Sequence, residues 1–304
     1  MADLAVIIVS WNVRELLAAC LRSLIADLER TPLTHEVWVV DNGSADGTAE
    51  RVRETFPTVR LIASDENLGF VGGNNRALAA ILDAPAVPRY VWLLNPDTVV
   101  RSGATSALTA PLAAEPELAV SGAKLLYPDG SLQHSGFRFP GLLQLAFDLY
   151  SLPERLYDTP LNGRYPRHLY QRGAPFYVDH PLGAAMMVRM RAIEEVGLMD
   201  EGFFMYCEEI DWCWRMREAG WRACCVPTAE VIHHAGQSSG QVEVSSFVNL
   251  WTSRARLYAR HHRPPAQAVA KRMVRGEMRR RARGAPPRMA EACRQVIAAW
   301  EERL

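Results

Sequence analysis

Four short apolar runs in the first hundred residues, three of them followed by a helical stretch, constrain this chain more than any other feature. They are Ala5-Val-Ile-Ile-Val9, Glu36-Val-Trp-Val-Val40, Val59-Arg-Leu-Ile62 and Tyr90-Val-Trp-Leu-Leu94. Runs of that length, rich in β-branched and aromatic residues and bounded by polar ones, read as buried strands. Between them, Leu17, Leu21, Leu24, Ile25 and Leu28 recur at helical spacing. A second helical stretch follows the turn cluster 41–48, and a third begins glycine-rich at Gly69 and runs to Leu82. This alternation predicts an α/β fold with a mostly parallel sheet. Ligands bind such sheets beyond the carboxyl ends of the strands. Three strands here end in ligand-capable residues: Ser10-Trp-Asn12, Asp41-Asn42 and Asn95-Pro-Asp97. One polar crevice is the expected result.

The rest of the chain is less regular. Residues 136–177 are rich in Pro, Tyr and Arg with weak periodicity, which predicts a loop-dominated insertion. Order returns with a strand at 183–188, followed by a dense acidic and aromatic block at 200–221. Beyond Pro264 the pattern is helical and basic, broken at 284–287, with a last helix over 289–304.

Composition bounds the function classes. Apolar residues make up 49% and charged residues 22% of the 304, as in an ordinary globular protein, and this excludes global disorder. No apolar run approaches the roughly 18 residues of a membrane span. The opening Met-Ala-Asp-Leu has no basic stretch, so no secretory leader is expected and the protein reads as cytoplasmic. Six cysteines without a CxxC pair read as reduced thiols. The formal charge of +0 gives no overall field for nucleic acid. It hides an asymmetry, because residues 254–288 hold 12 Lys/Arg against one acid, Glu277.

Four segments carry candidate chemistry. Asp97 follows a buried strand, where a carboxylate either caps a turn or holds a hard divalent cation against a diphosphate. In Glu208-Glu-Ile-Asp-Trp-Cys-Trp-Arg215, Asp211 and Arg215 stand at i, i+4 on a helix and can pair. That pairing does not explain Glu208 and Glu209, two adjacent acids after the aromatic run Phe203-Phe-Met-Tyr206. A carboxylate against aromatic walls is partly desolvated and suits a general base. His233-His-Ala-Gly-Gln-Ser238 follows a short strand and suits a loop that lines a site, where an imidazole completes a metal shell or binds phosphate. Glu66-Asn-Leu-Gly-Phe-Val-Gly-Gly-Asn-Asn-Arg76 is glycine-rich and allows close backbone approach to a ligand.

Taken in order, these segments resemble the family 2 inverting glycosyltransferases of GT-A fold, and look most like the bacterial rhamnosyltransferase-type branch. The resemblance covers roughly residues 4–260. It implies a nucleotide-sugar pocket lined by Ser10, Asn12 and Asp41, with Asn67 and Gly69 near the base, Arg76 near the nucleotide, and Asn95 beside them. Asp97 matches the last acid of a metal-binding DxD motif, with Asn95 in place of the first Asp. His233 matches the late metal or diphosphate ligand, and the implied cofactor is Mg²⁺ or Mn²⁺. Glu209 matches the second acid of the catalytic pair, leaving open whether Glu208, Glu209 or Asp211 takes the proton.

The implied reaction moves a sugar, L-rhamnose from dTDP-L-rhamnose for this branch, onto a saccharide or polyprenyl-linked acceptor with inversion. The implied division is a catalytic domain over 1–262 and a basic helical extension over 263–304. Within the catalytic domain, 1–100 form the nucleotide-sugar half and 101–262 the acceptor half. Trp251, Leu257, Tyr258, Val269, Met273 and Met278 lie among the basic residues. That mixture predicts peripheral docking on the anionic cytoplasmic membrane face, at ~1 kcal/mol per Lys/Arg near the surface.

Overall fold

Strict alternation along the first strand sets the architecture. Leu4, Val6 and Ile8 enter one core cluster while Ala5, Ile7 and Val9 enter another, as the two-residue period of a strand requires. Every residue of this strand is buried, so it lies inside the sheet with helices on both faces.

The computed structural model describes residues 2–157, 159–236 and 239–304. In chain order its elements begin β1 (Leu4–Ser10), α1 (Arg14–Leu28), β2 (His35–Asn42), α2 (Thr48–Thr55), β3 (Arg60–Ser64), α3 (Gly69–Leu82), β4 (Tyr90–Leu94), β5 (Thr98–Val100), α4 (Ala104–Ala114) and β6 (Leu118–Leu126). Then come β7 (Leu132–Gln133), β8 (Gly136–Phe137), α5 (Leu142–Leu149), α6 (Arg167–Gln171), β9 (Phe176–Val178), β10 (His180–Pro181), β11 (Ala185–Arg189), α7 (Met190–Val196) and α8 (Glu208–Glu218). The chain closes with β12 (Arg222–His233), α9 (Glu243–His261), α10 (Pro264–Ala282) and α11 (Pro287–Arg303).

The main sheet runs β3-β2-β1-β4-β11-β6-β12-β5. Its first four strands are parallel. β11 then runs antiparallel to both β4 and β6. The strand order reverses at β1, whose neighbours are β2 and β4. The carboxyl ends of these three strands therefore open one crevice, bearing Ser10, Asn42 and Asn95.

α1, α2 and α4 pack on one face through Leu17, Leu21, Leu24, Val52, Leu108 and Leu112. α3, α7 and α8 pack on the other through Val71, Leu78, Ile193, Trp212 and Met216. A third core joins α5 to α9, α10 and α11 around Leu145, Trp251, Tyr258, Val274, Val296 and Trp300. Three hydrogen bonds tie it together: the Trp300 indole to the Trp251 carbonyl at 2.9 Å, Tyr258 Oη to the Gly141 carbonyl at 2.7 Å, and Arg281 to the Leu149 carbonyl at 2.8 Å.

Two expectations change here. Residues 136–177 include α5, whose Leu145 and Leu149 are buried in the third core, so the insertion is in part structural. Its periodicity was weak because α5 has only eight residues. Four of the six apolar residues expected to face a membrane, Trp251, Leu257, Tyr258 and Met278, are no more than 2% exposed. They hold helices together, because each helix has an apolar stripe that its neighbours cover. Val269 is 47% exposed and Met273 partly buried. No described helix is long and apolar enough to cross a membrane.

Candidate active site

A cavity of about 700 Å³ lies over the carboxyl ends of β1, β2 and β4, within the size range of ligand pockets. Ser10, Asn67, Gly69, Asn95, Asp97, Glu208, Glu209 and His233 all line it.

The glycine-rich turn works through its backbone. Asn67 Oδ1 accepts the Gly69 N–H at 2.9 Å, and Asn42 Nδ2 donates to the Gly69 carbonyl at 2.8 Å. Gly69 has φ +73°, and a Cβ there would run into Phe204. The Phe70 N–H donates to the Phe204 carbonyl at 2.9 Å, so the start of α3 is bound to the segment that leads into α8. Gly69→Ala is expected to cost about 1–3 kcal/mol through the left-handed backbone and this contact. A thermal unfolding midpoint unchanged from wild type would refute that.

Asp97 and His233 come together from distant parts of the chain. β5 pairs with β12, placing Thr98 opposite His233, and the His234 N–H donates to the Asp97 carbonyl at 2.9 Å. His233 Nε2 stands 3.4 Å from Asp97 Oδ1 and 3.4 Å from Asn95 Nδ2, while Nδ1 lies 3.0 Å from Gln133 Oε1. With Nδ1–H donated to Gln133, the Nε2 lone pair faces Asp97, the tautomer a metal ligand needs. Two donors each about 2.1 Å from a shared octahedral cation stand about 3 Å apart, so the pair fits such an ion. No group of three or more His, Cys, Asp or Glu suited to a metal occurs among the described residues. A hard cation held by two protein ligands takes its remaining positions from phosphate oxygens and water. Gln237 and Ser238, the end of the histidine motif, lie outside the described residues.

Glu208 and Glu209 open α8, directly after Tyr206 and Cys207, which both adopt left-handed backbone (φ 71° and 66°). Such strain in consecutive non-glycine residues is characteristic of functional turns. Both carboxylates are buried and each has an oxygen without a hydrogen-bond partner. The helix N-terminus favours their charge, but burial outweighs it. Burial pushes Glu209 up to about 7, and burial together with the neighbouring Glu209 holds Glu208 well above the ordinary range. Gly183 packs on the Glu209 side chain, and the next carbonyl, of Ala184, accepts the Asn95 N–H at 2.8 Å. The base candidate thus adjoins the segment that carries Asp97.

Four expected site residues stand elsewhere. Asp211 is fully buried away from the cavity, bound to Arg215 at 2.9 Å, His261 at 2.8 Å and Arg260 at 3.3 Å. Burial raises its pKa, but the His261 and Arg215 hydrogen bonds outweigh that and hold it below the ordinary range. It lies two residues beyond Glu209 and so projects from a different side of α8. Arg76 is exposed and does not line the cavity, because α3 has carried it two turns past Gly69. Asn12 (φ 52°) turns its carboxamide to the Ala45 N–H at 2.8 Å. Asp41 is buried and does not line the cavity, its carboxyl raised by burial against hydrogen bonds from Ser44. Conversely, Asn42, noted above only as part of a ligand-capable strand end, lines the cavity, and Gln133, which the sequence reading missed, contacts His233. Asn42 was legible as a polar residue at a strand end, whereas nothing local marked Gln133.

The doubly wound half, the antiparallel β11 and the cavity across the strand ends define a GT-A glycosyltransferase. Glycosyl transferase family 2 matches residues 5–197, and the chain belongs to that family as a rhamnosyltransferase-like hexosyltransferase. It is 32% identical over 248 residues to the N-acetylglucosaminyl-diphospho-decaprenol L-rhamnosyltransferase of Mycobacterium tuberculosis, covering 78% of each chain. It is 29% identical over 179 residues to rhamnosyltransferase WbbL of Escherichia coli K12, covering 55% of this chain and 61% of that one. Among solved structures, a mannosyltransferase of Pyrobaculum calidifontis in complex with GDP-Man and Mn²⁺ matches with TM-score 0.56 and 15% identity, over 99% of this chain and 87% of that one. GalNAc-T7 with UDP, GalNAc and Mn²⁺ matches with TM-score 0.57 and 16% identity, over 77% of this chain and 44% of that one.

Proposed function

We propose that this enzyme transfers L-rhamnose from dTDP-L-rhamnose to a sugar carried on a lipid diphosphate, in the synthesis of a cell-envelope polysaccharide. The observation that carries this reading is the pairing of buried acids with a cation-ready pair in one cavity. Glu208 and Glu209 face the same space as Asp97 and His233. The names of the relatives support the donor and acceptor.

In this reading Ser10, Asn42, Asn67 and Gly69 hold the nucleotide end of the donor, and Asn95, Asp97 and His233 hold its diphosphate with Mg²⁺ or Mn²⁺. The bound cation supplies Lewis-acid neutralisation of the charge developing on the leaving diphosphate. Glu209 removes the proton from the acceptor hydroxyl, which is a poor nucleophile until it does. Base and leaving group on opposite sides of the anomeric carbon give inversion. Gln133 holds His233 in its working tautomer.

The test is release of nucleoside diphosphate from a panel of nucleotide sugars, with and without Mn²⁺ or Mg²⁺ and with a lipid-diphosphate acceptor. Selective, metal-dependent release from dTDP-L-rhamnose is the expected result. Release from a UDP- or GDP-sugar instead would overturn the donor and keep the class. Asp97→Ala is expected to weaken metal-dependent donor binding on the order of 10–100-fold, read by calorimetry with and without Mn²⁺. Equal donor affinity in the two conditions would remove Asp97 and His233 from the cation site.

Membrane docking in this reading rests on charge from the basic segment, with exposed Val269 beside Arg272 and Arg280 on the surface of α10. Flotation with vesicles containing anionic lipid is the measurement. Absence of association at low salt would refute it.

A further inference from the structure

One part of the cavity wall carries positive charge that the donor reading leaves unused. Arg138, Arg164 and Arg254 line it, and they come from three separate segments: the β8–α5 connection, the stretch before α6, and α9. Backbone contacts join the first two, since Phe137 pairs with Arg164 and the Arg138 N–H donates to the Gly163 carbonyl at 2.8 Å. Arg254 stacks on Trp251 and binds Asp148 at 2.7 Å, and the charge of Arg164 also bears on Asp148. Arg254 and Arg164 thus act on one acid, while Arg138, which also lines the cavity, lies over the Tyr165 ring at 5.8 Å.

The cluster adjoins the proposed base without sharing elements with the Asp97–His233 pair. Arg254 lies close enough to Cys207, the residue before Glu208, for its charge to act on that thiol. Gln144 and Asn162 line the same wall. Their chain neighbours Leu143 and Leu161 are about half exposed, and Val242 on the cavity wall is 39% exposed. A basic wall beside exposed apolar side chains suits an amphiphile with an anionic head.

We propose that Arg138, Arg164 and Arg254 bind the diphosphate of the acceptor, whose lipid chain leaves over Leu143, Leu161 and Val242. The inference rests on the reading of the acceptor as a lipid diphosphate. It adds the residues that recognise it and the path of the chain. A diphosphate diester carries two negative charges. Guanidinium groups suit it because each donates two parallel hydrogen bonds to phosphate oxygens. The acceptor sugar then lies between this cluster and Glu209, with its hydroxyl toward the base.

The experiment measures calorimetric binding of two probes to the full chain. One is N-acetylglucosamine joined by diphosphate to a short isoprenoid, and the other is the same sugar on a neutral octyl chain. Arg138→Gln, Arg164→Gln and Arg254→Gln are each expected to weaken the diphospholipid about tenfold or more. Arg254→Lys, which keeps the charge and guards against misfolding, is expected to fall between. The neutral glycoside and dTDP should bind these variants as they bind wild type. Arg51→Gln, an exposed substitution on α2 far from the basic segment, is the control. Wild-type affinity for the diphospholipid in all three glutamine variants would overturn the proposal. Loss of dTDP binding instead would assign the arginines to the donor and also overturn it. If wild type glycosylates the neutral glycoside but does not bind the diphospholipid, the acceptor reading itself fails, and this subsite with it.

Discussion

Glu209→Gln is expected to slow transfer severely while making the protein more stable. Loss of a general base costs about 10²–10⁴-fold in turnover, and glutamine keeps the shape of the side chain, so donor binding should persist. Burial lifts the Glu209 carboxyl from 4.5 to about 7. Wild-type turnover should therefore rise with pH through about 7 as the carboxylate forms, and the residual activity of Glu209→Gln should lose that limb.

Stability moves the other way. Between 4.5 and about 7 the folded state holds a proton that the unfolded chain has released, so the wild type loses stability as pH rises across this window. The loss is complete above it, and the separation corresponds to about 3 kcal/mol. A neutral glutamine does not incur it. At pH 8 the variant should unfold about 2–3 kcal/mol later than wild type, a difference that disappears below pH 4.5. A variant that is inactive and also less stable at pH 8 would contradict this account of the buried acid. Full activity in Glu209→Gln with an inactive Glu208→Gln would transfer the base to Glu208.

Asp211→Ala should have the opposite signature, a large loss of stability. The Asp211 carboxylate is the shared partner of Arg215, Arg260 and His261. It ties α8 to the last turns of α9, and the ring of His261 stacks on Trp214 at 4.5 Å. Removing one partner from a buried ionic cluster leaves the others uncompensated and costs about 3–5 kcal/mol. For a chain of this size that is a fall in melting temperature on the order of 10 °C. Because the Asp211 pKa is depressed, its contribution is present above the ordinary carboxylate pKa and is lost as pH falls through the lower folded value. Asp211→Asn keeps the shape and part of the hydrogen bonding, so it should remain folded and active. If Asp211→Asn had a native melting temperature and no turnover, Asp211 and not Glu209 would be the base.

In the proposed reading the motif Glu208-Glu-Ile-Asp211 divides into a reactive part and a structural part. The i, i+4 spacing of Asp211 and Arg215 already pointed to a pair, and that pair forms. Spacing could not show that α9 closes over Asp211 with His261 and Arg260, fifty and forty-nine residues away in sequence.

The sequence by itself determined the parallel half of the sheet. Strands such as β1 and β4 are buried on both faces, so their apolar content is nearly continuous and their polar ends stand out. Ser10, Asn67, Gly69, Asn95, Asp97, Glu208, Glu209 and His233 were all legible because each lies at a strand end, a glycine turn or a helix start, where local pattern is strongest. The tertiary structure decided what depends on long-range contact. It placed Gln133 behind His233, buried Trp251 and Tyr258 among the last helices, and gathered Arg138, Arg164 and Arg254 on one wall. Those side chains come from short or irregular segments whose partners lie far away in the chain. Their surroundings are set by packing between elements, and a local pattern records only the element itself.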